Sequence, residues 1–284
     1  MAQAIFCSWL AAGTANALTT SLLHPLDRLR VVQQLQTPPQ GLWPTLRALS
    51  APPLGLLRGL WLPGLQASIA REYLYSGPRI GLYVPVRDAL VSLTGAGTTS
   101  LPVKICSGIV TGVLGCLIAN PVDVLKVRQM HAPQAHGGSL PALMAGIHAR
   151  EGMAGLYKGL LPSSLRGAAM TVGQIACYDA AKGHLVAARV APDGPALHVA
   201  ASLVAGLCAT LLSAPFDVIK TRCMARADAH ESVASVLRAL WREGGLPRSL
   251  FRGLLPAYMR QGPFMFICLP LMEQLRAAMG LPYV

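Results

Sequence analysis

A six-residue box that recurs three times limits what this 284-residue chain can fold into. Each copy has the form Pro-x-Asp-x-x-Arg/Lys, and the copies start 96 and 94 residues apart. A period near 95 residues in a chain of this length indicates three copies of one structural unit. The proline kinks a helix, and the acid and the base three residues apart share one helix face. The boxes run from Pro25 to Arg30, from Pro121 to Lys126 and from Pro215 to Lys220.

Long uncharged stretches place these boxes at the ends of membrane helices. The chain is 53% hydrophobic and only 13% charged, whereas a soluble domain carries ~25% charged residues. Residues 1–26, 105–122 and 194–216 contain no Asp, Glu, Lys or Arg, and each stretch is of the order of the ~20 residues that span a bilayer. A secretory signal peptide is a weaker interpretation of the first stretch, because it lacks a basic region and the same pattern recurs internally.

A second apolar segment in each unit, with scattered charges, predicts a second membrane helix. The fold class is therefore an all-α membrane protein of six transmembrane helices in one domain, residues 1–284, with a short amphipathic helix along the membrane surface in each repeat, such as 139–150. The second apolar segments cover about 63–93, 161–187 and 254–279. The three pseudo-threefold repeats are bounded at 1–96, 97–192 and 193–284.

The net charge of +12 is concentrated between the two helices of each repeat. Those three segments hold 15 of the 24 basic residues. The connections between repeats, at about 92–101 and 183–198, contain a single basic residue, Arg189. The positive-inside bias places the basic segments on the negative side of the membrane and both termini on the opposite side. A nucleic-acid partner is disfavoured because no basic surface domain remains.

The seven cysteines include no CxxC pair, so we interpret them as small buried hydrophobes.

A second element follows each box, made of an acid and a glycine and then an aromatic residue, a base and a glycine. The middle copy matches fully, the third has two extra residues between its parts, and the first lacks the acid. The copies are Glu151-Gly152 with Tyr157-Lys158-Gly159, Glu243-Gly244 with Phe251-Arg252-Gly253, and Ala51-Pro52 with Leu57-Arg58-Gly59.

With both elements over essentially its full length, the chain resembles the mitochondrial carrier family. It is most similar to the dicarboxylate carriers, through His24-Pro25-Leu26-Asp27, Thr171-Val172-Gly173-Gln174 with Cys177-Tyr178-Asp179, and the segment from Phe216 to Arg222. The segment from Arg79 to Tyr83 is shared with the uncoupling proteins. The resemblance implies an inner-membrane antiporter that exchanges malate, succinate or malonate for phosphate or sulfur oxyanions. It also implies a monomer without cofactor or catalysis, cardiolipin at the matrix side, and termini that face the intermembrane space.

The resemblance further implies that the box charges pair between repeats and close the matrix side. The implied pairs are Asp27 with Lys126, Asp123 with Lys220, and Asp217 with Arg30. Gln34 stands where the family has a glutamine that braces one pair. Pairing within each helix, from the acid to the base three residues on, is the alternative that the residues leave open. Charges at membrane depth need partners, yet pairs of modest net energy can open.

A second ring is implied at the cytoplasmic side, and it is less complete. Asp179 would pair with Arg87 and Glu273 with Lys182, while Arg276 would face Val84. Two bridges instead of three predict that the carrier spends more time open to the matrix.

Three arginines at matching positions are the candidate substrate ligands. Arg71, Arg166 and Arg260 each lie 13 residues before the outer-ring position, which is near mid-membrane at ~1.5 Å per residue. A charge inside a membrane is costly and indicates function. We expect these arginines to lack matching acids, so that the ligand supplies the negative charge. The planar guanidinium suits carboxylate, phosphate and sulfate.

Four neighbouring residues have weaker assignments. Arg79 could guide the anion and Gln174 could donate a hydrogen bond to it. His24 is either linked to a proton or simply hydrogen-bonded to a neighbouring helix. Glu72 could neutralise one arginine, but adjacent helical residues point about 100° apart, so we expect it to face another helix.

The alternatives in function are an uncoupling-type or oxaloacetate/sulfate carrier and a carrier-derived membrane adaptor that no longer transports. The adaptor is disfavoured because all three boxes and all three arginines are present. No nucleotide, protease or metal motif is visible, and the composition excludes a soluble enzyme.

Overall fold

The computed structural model describes residues 2–38, 40–51, 55–95, 97, 100–133, 138–187, 195–226 and 232–279. These residues contain no strand, which confirms the all-α fold. A π-helical turn at Leu57–Trp61 lies between the second and third helices. The helices are α1 (Ala2–Leu35), α2 (Leu42–Ser50), α3 (Leu65–Gly81), α4 (Tyr83–Thr94), α5 (Leu101–His131), α6 (Leu140–Leu156), α7 (Leu160–Ala187), α8 (Pro195–Ala225), α9 (Val233–Arg242), α10 (Leu246–Leu250) and α11 (Leu254–Ala278).

The long helices form a closed ring in chain order. Helix α1 packs against α3, α3 against α5, α5 against α7, α7 against α8, α8 against α11, and α11 returns to α1. The helices that carry the boxes, α1, α5 and α8, also contact one another. The three boxes therefore meet on the inside of the ring, as a threefold repeat requires.

The outside of the ring is apolar. Large hydrophobic side chains such as Leu22, Leu117, Leu203 and Phe266 are exposed there, which is typical of a surface that faces lipid. Two stretches of the described residues are long and apolar enough to cross a membrane by themselves, Leu101–His131 and Ala200–Ala225. Six-helix topology therefore rests on the closed ring and the repeats more than on hydropathy.

Each box proline lies inside a helix and does not end it. Pro25 lies within α1, Pro121 within α5 and Pro215 within α8. Proline removes one backbone hydrogen bond from the helix interior and clashes with the preceding turn. The three helices can therefore bend at the same level of the ring.

The second span of the first repeat differs from the single helix expected over 63–93. It is divided into α3 and α4 at Leu82, whose φ of −91° and ψ of −7° depart from helical values. Pro78 lies inside α3 four residues before this break, and its missing N–H and ring weaken the helix. The matching helices α7 and α11 run without such a break.

The surface segments are also less uniform than expected. Helix α6 runs past residue 150 to Leu156 and contains a non-helical residue, Gly152, at φ 67°. In the third repeat the chain turns at Gly244 and Gly245, with φ of 146° and 83°, and this separates α9 from α10. Positive φ is accessible to glycine without steric cost, so the acid-glycine element sets where the surface helix turns in repeats two and three.

Candidate substrate site inside the helix ring

The box carboxylates bind the box cations of neighbouring repeats. All three pairs join different helices, and among the described residues no box acid pairs with the base three positions on. Pairing between repeats is thus present, and the alternative within each helix is not. The pairs are Asp27 Oδ2 with Lys126 Nζ at 3.2 Å, Asp123 Oδ2 with Lys220 Nζ at 2.7 Å, and Asp217 Oδ2 with Arg30 Nη2.

The three candidate arginines bind the same carboxylates through the other oxygen. We expected arginines without matching acids, and that expectation was wrong. A carboxylate has two acceptor oxygens, so each acid binds a box cation on Oδ2 and an arginine on Oδ1. The pairs are Arg71 Nε with Asp123 at 2.7 Å, Arg166 Nε with Asp217 at 2.5 Å, and Arg260 Nε with Asp27 at 3.1 Å.

Three glycines with positive φ fix the level of these arginines. Gly64, Gly159 and Gly253 each precede an arginine by seven residues and have φ of 78°, 69° and 74°. A Cβ on Gly64 would lie 2.9 Å from Met130 Cγ and 3.2 Å from the Lys126 carbonyl oxygen. A Cβ on either of the other two glycines would lie 3.1 to 3.3 Å from the matching places on α8 and α1. The second membrane helix of each repeat therefore starts against the box helix of the next repeat.

The sequence motif aligns Gly59 with Gly159 and Gly253. In the structure, however, the counterpart of those two glycines is Gly64. Twelve residues separate Gly59 from Arg71, whereas seven separate the glycine from the arginine in the other repeats. The π-helical turn at Leu57–Trp61 takes up part of this extra chain. The seven-residue distance to the arginine is the sequence signal that identifies Gly64.

The ion-paired residues line one cavity on the inside of the ring. Its volume is about 590 Å³, including space open to solvent. Six basic and four acidic side chains line it, so its formal net charge is +2. Val31, Gln34, Val127 and Thr221 complete the lining. Such a cavity attracts anions and repels cations.

Glu72 is the fourth acid of the cavity, and its position corrects an expectation. It was expected to face another helix, but its Oε1 accepts a hydrogen bond from Arg71 Nη1 at 3.0 Å. The two long side chains bridge the angle between adjacent helical positions. Glu72 is only 7% exposed. Nothing in the spacing of the repeats indicated this contact.

Aromatic rings support two of the arginines. The Tyr75 ring lies 4.8 Å from the Arg71 guanidinium and 5.7 Å from that of Arg79, and Phe264 lies 5.3 Å from that of Arg260. Contacts of this kind between a cation and a ring are favourable, more so when desolvated. The Tyr75 ring thus orients the arginine that binds Asp123.

Three weaker candidates lie apart from the cavity. Arg79 is exposed and Gln174 half-buried, and neither belongs to the described lining. His24 is fully buried, with Nε2 2.9 Å from the Pro63 carbonyl oxygen and Nδ1 3.3 Å from Ser68 Oγ. Its partners thus lie just after the π-helical turn and in α3 of its own repeat. This agrees with the interpretation that His24 is simply hydrogen-bonded to a neighbouring helix.

Gln34 lines the cavity, but its side chain makes a different contact from the expected brace. Its Oε1 accepts a hydrogen bond from Thr221 Oγ1 at 2.7 Å, and its carbonyl oxygen accepts one from Arg222 Nε at 2.8 Å. No hydrogen bond joins its amide to the Asp217–Arg30 pair among the described contacts. Gln34 therefore links the ends of α1 and α8.

The expected cytoplasmic pairs are not formed among the described side chains. Arg87 pairs with its neighbour Asp88 at 2.8 Å, and the side chain of Asp179 lies outside the described residues. Glu273 is exposed and has no ion-pair partner in the described part of the chain. Lys182 and Arg276 are half-buried on α7 and α11. One end of the cavity is thus closed by ion pairs, whereas the described side chains at the other end do not form the expected pairs with one another.

Two acids at the closed end hold networks that the sequence motif only partly indicated. Glu151 accepts hydrogen bonds from Arg128 at 2.5 and 2.8 Å and from Lys158 at 2.6 Å. Burial alone would raise the pKa of Glu151, but the hydrogen bonds from Arg128 and Lys158 hold it below the ordinary value. Glu243 has the same balance, with burial opposed by Arg222 and Arg252.

Three internal repeats that close into a ring around a cationic cavity define a membrane carrier for anions. A family model described as mitochondrial carrier protein matches residues 97–189 and 192–281. The chain therefore belongs to the mitochondrial carrier family, whose members are transporters of the mitochondrial inner membrane. This confirms the family resemblance.

Three relatives are similar over most of their length. The putative mitochondrial transporter UCP3 of Bos taurus is 31% identical over 292 residues, covering 95% of this chain and 91% of its own. The mitochondrial brown fat uncoupling protein 1 of Oryctolagus cuniculus is 32% identical over 278 residues, covering 91% and 88%. The mitochondrial uncoupling protein 1 of Arabidopsis thaliana is 32% identical over 225 residues, covering 77% and 72%.

Proposed function

We propose that this carrier exchanges small dicarboxylates such as malate, succinate and malonate for phosphate or sulfur oxyanions by alternating access. The observation that carries the proposal is the cavity, in which three arginines face one space of formal charge +2. A divalent anion neutralises this charge, and guanidinium groups bind carboxylate or phosphate through two donors. Asp27, Asp123 and Asp217 hold the arginines in place until the anion arrives.

Substrate binding is coupled to opening through those shared carboxylates. An entering dianion offers new acceptors to the arginines and adds negative charge beside the three box acids. Both effects weaken the ring of ion pairs that closes one end. A ligand can shift a conformational equilibrium only by its differential affinity for the two states, and contact with arginines of different repeats supplies that difference here.

The closed end is assigned to the matrix side, with both termini toward the intermembrane space. The box pairs form the matrix gate, and Arg87, Asp179, Lys182, Glu273 and Arg276 form the cytoplasmic gate in the opposite state. A complete second ring stabilises the state that is closed to the cytoplasmic side and open to the matrix, so the direction expected above from two bridges instead of three is reversed. Installing Val84→Asp completes the ring and should shift the population toward the state open to the matrix. Labelling of a cysteine introduced at the outer mouth measures this shift, and unchanged labelling contradicts it.

Exchange in liposomes tests the function. Purified protein is reconstituted into vesicles that contain malate, phosphate or buffer alone, and uptake of labelled malonate is measured. Rapid uptake is expected only into loaded vesicles. Arg166→Ala should abolish uptake, whereas Arg238→Ala, which removes an exposed arginine of α9, should not. If folded protein takes up no dicarboxylate, phosphate or sulfate, the proposal fails.

An uncoupling-type or oxaloacetate/sulfate carrier is the second candidate, since the three relatives described above include two named uncoupling proteins. The same vesicles distinguish the two activities. A proton conductance without anion exchange favours uncoupling, whereas exchange of oxaloacetate or sulfate in preference to malate favours the anion carrier. Inactivity in both assays by folded protein favours a membrane adaptor.

A further inference from the structure

The threefold site has one position that differs from the other two. Arg71 donates Nε to Asp123 and Nη1 to Glu72, at 2.7 and 3.0 Å. Arg166 and Arg260 each bind a single acid, Asp217 and Asp27. Repeat one therefore carries a carboxylate that the other two repeats lack at this level.

The sequence explains this asymmetry. The residues that follow Arg166 and Arg260 are Gly167 and Gln261, neither of which carries a charge. Within the described residues, the two Nη atoms of Arg166 have no protein acceptor. These donors remain available to a ligand, whereas Arg71 gives its Nη1 donor to the additional acid Glu72. Arg260 also uses Nη1, but for the second oxygen of the acid that it already binds, Asp27, at 3.4 Å.

We propose that Glu72 is a specificity-determining residue that fills the third anion position of the site from within the protein. The inference rests on the proposed exchange of small anions and deepens it. A dicarboxylate binds Arg166 and Arg260 with its two charged ends, and the third position is already occupied by the Glu72 carboxylate on Arg71. A tricarboxylate must bring its third carboxylate against Glu72, and like-charge contacts exclude a wrong partner.

The charge of the cavity supports the same conclusion. With Glu72 ionised, the lining has a formal charge of +2, and neutralising this one side chain makes it +3. Glu72 is buried, so little solvent screens its charge from a bound anion. Removing the charge therefore frees the Nη1 donor of Arg71 and raises the charge that a substrate has to balance.

The test compares a dianion with a trianion in the same vesicles. Initial exchange rates of labelled malonate and labelled citrate are measured at pH 7.5 for wild type, Glu72→Gln and Glu72→Asp. The ratio of the citrate rate to the malonate rate should rise at least about tenfold in Glu72→Gln. In Glu72→Asp, which retains the charge, the ratio should stay within about twofold of wild type. A structural loss alone lowers both rates together and leaves the ratio unchanged.

A second variant and a second measurement separate the possible failures. Arg71→Gln combined with Glu72→Gln restores the charge of +2 by formal count and should restore the preference for malonate. Thermal stabilisation of the purified protein by citrate or malonate gives the same ranking without transport. An unchanged ratio in folded, active Glu72→Gln overturns the role of Glu72 and leaves dicarboxylate exchange standing. Wild type that exchanges neither anion overturns the proposed function and this inference with it.

Discussion

The closed end of the carrier is built in two ways, and the first repeat differs from the other two. In repeats two and three an arginine of the box helix binds the acid of the surface segment and a carbonyl oxygen of the next box helix. Arg128 thus joins Glu151 to the Met224 carbonyl, and Arg222 joins Glu243 to the Gln34 carbonyl. The corresponding residue in the first repeat is Val32.

Repeat one has lost both members of the pair together. Val32 is buried where the others have arginine, and Ala51 stands where they have glutamate. Leaving one buried charge without its partner is costly, whereas replacing both partners with apolar groups can be nearly neutral. The comparison shows that the arginine and the acid are present or absent together, whereas the third member, the base of the second element, is kept in repeat one as Arg58. It also identifies the α1–α5 boundary as the one that lacks an arginine across it.

Arg28 offsets part of this loss by different contacts. It occupies the place of the buried residues Val124 and Val218 and donates to the carbonyl oxygens of Arg58 and Gly59. Its Nε atom is buried without a partner in the described structure. The π-helical turn of repeat one is therefore held by an arginine from the box helix, but without an acid.

The largest effect is expected from breaking one intact network. Glu151→Ala leaves Arg128 and Lys158, which are 3% and 9% exposed, without their counter-charge. We expect the free energy of unfolding to fall by about 3–5 kcal/mol, the cost of an unpaired buried charge. Thermal unfolding in detergent measures it, with the exposed pair Arg87–Asp88 as control, where Asp88→Asn should cost about 1 kcal/mol or less.

The double variant tests whether repeat two can be converted to the arrangement of repeat one. Arg128→Val with Glu151→Ala should cost less than Glu151→Ala alone, because no buried guanidinium is left unpaired. Lys158 loses its acid in both variants, so the difference between them reports the guanidinium of Arg128. A double variant whose cost equals the sum of the two single costs would show that the two repeats are not comparable.

A smaller effect is expected at the glycine where the first repeat keeps the common pattern. Gly64→Ala places a Cβ 2.9 Å from Met130 Cγ at φ 78°, and a left-handed conformation alone costs about 1–2 kcal/mol. Gly159→Ala and Gly253→Ala should cost about the same, as all three meet the next box helix. Gly55→Ala is the matched control, since its φ is 63° and nothing lies within 4 Å of its Cβ. If Gly64→Ala costs no more than Gly55→Ala in thermal unfolding, the close packing contributes nothing.

Much of this arrangement follows from sequence because the repeats fix the register. The box spacing places Asp27 and Lys126 at one level of adjacent repeats, and the family resemblance adds that the acid of one repeat pairs with the base of the next. The contact between Arg260 and Asp27 cannot be predicted from the sequence. It depends on how far the second membrane helix of a repeat is shifted along the box helix of the next repeat. Gly253 sets this shift through a contact with the backbone of α1. The pattern of charges in the sequence does not indicate that contact.

Irregular features of repeat one escape prediction for a related reason. The extra residues before Gly64 and the helix break at Leu82 have no counterpart in the other repeats, so internal comparison gives no warning of them. The contact between Glu72 and Arg71 depends on side-chain rotamers rather than on spacing. Asymmetry is thus where a threefold sequence argument fails, and in this chain the asymmetry reaches the cavity itself.

Acidic pH should weaken the networks of Glu151 and Glu243 before it affects the first repeat, which has no such network. The pKa values of Glu151 and Glu243 lie below their ordinary value of 4.5 in the folded protein. Their contribution to stability is therefore fully present above pH 4.5 and is lost as the pH falls through the lowered pKa. The thermal midpoint of wild type should fall below that pH. The variant Glu151→Gln with Glu243→Gln should start lower and depend less on pH, and parallel pH curves would contradict this assignment.

The smallest effect is expected from building the missing network into repeat one. Val32→Arg with Ala51→Glu introduces the pair that the other repeats have, with the Met130 carbonyl of α5 in the place of the Met224 and Gln34 carbonyls. We expect a gain of about 1 kcal/mol or less, because the burial of two charges offsets most of their attraction. Each single variant should be destabilising, since one charge is then buried alone. Hydrogen exchange at the end of α5 should slow in the double variant and not in the single ones, and this readout reports the α1–α5 boundary directly. A double variant less stable than both single variants would show that the π-helical turn and Arg28 have already taken the space in which the network would form.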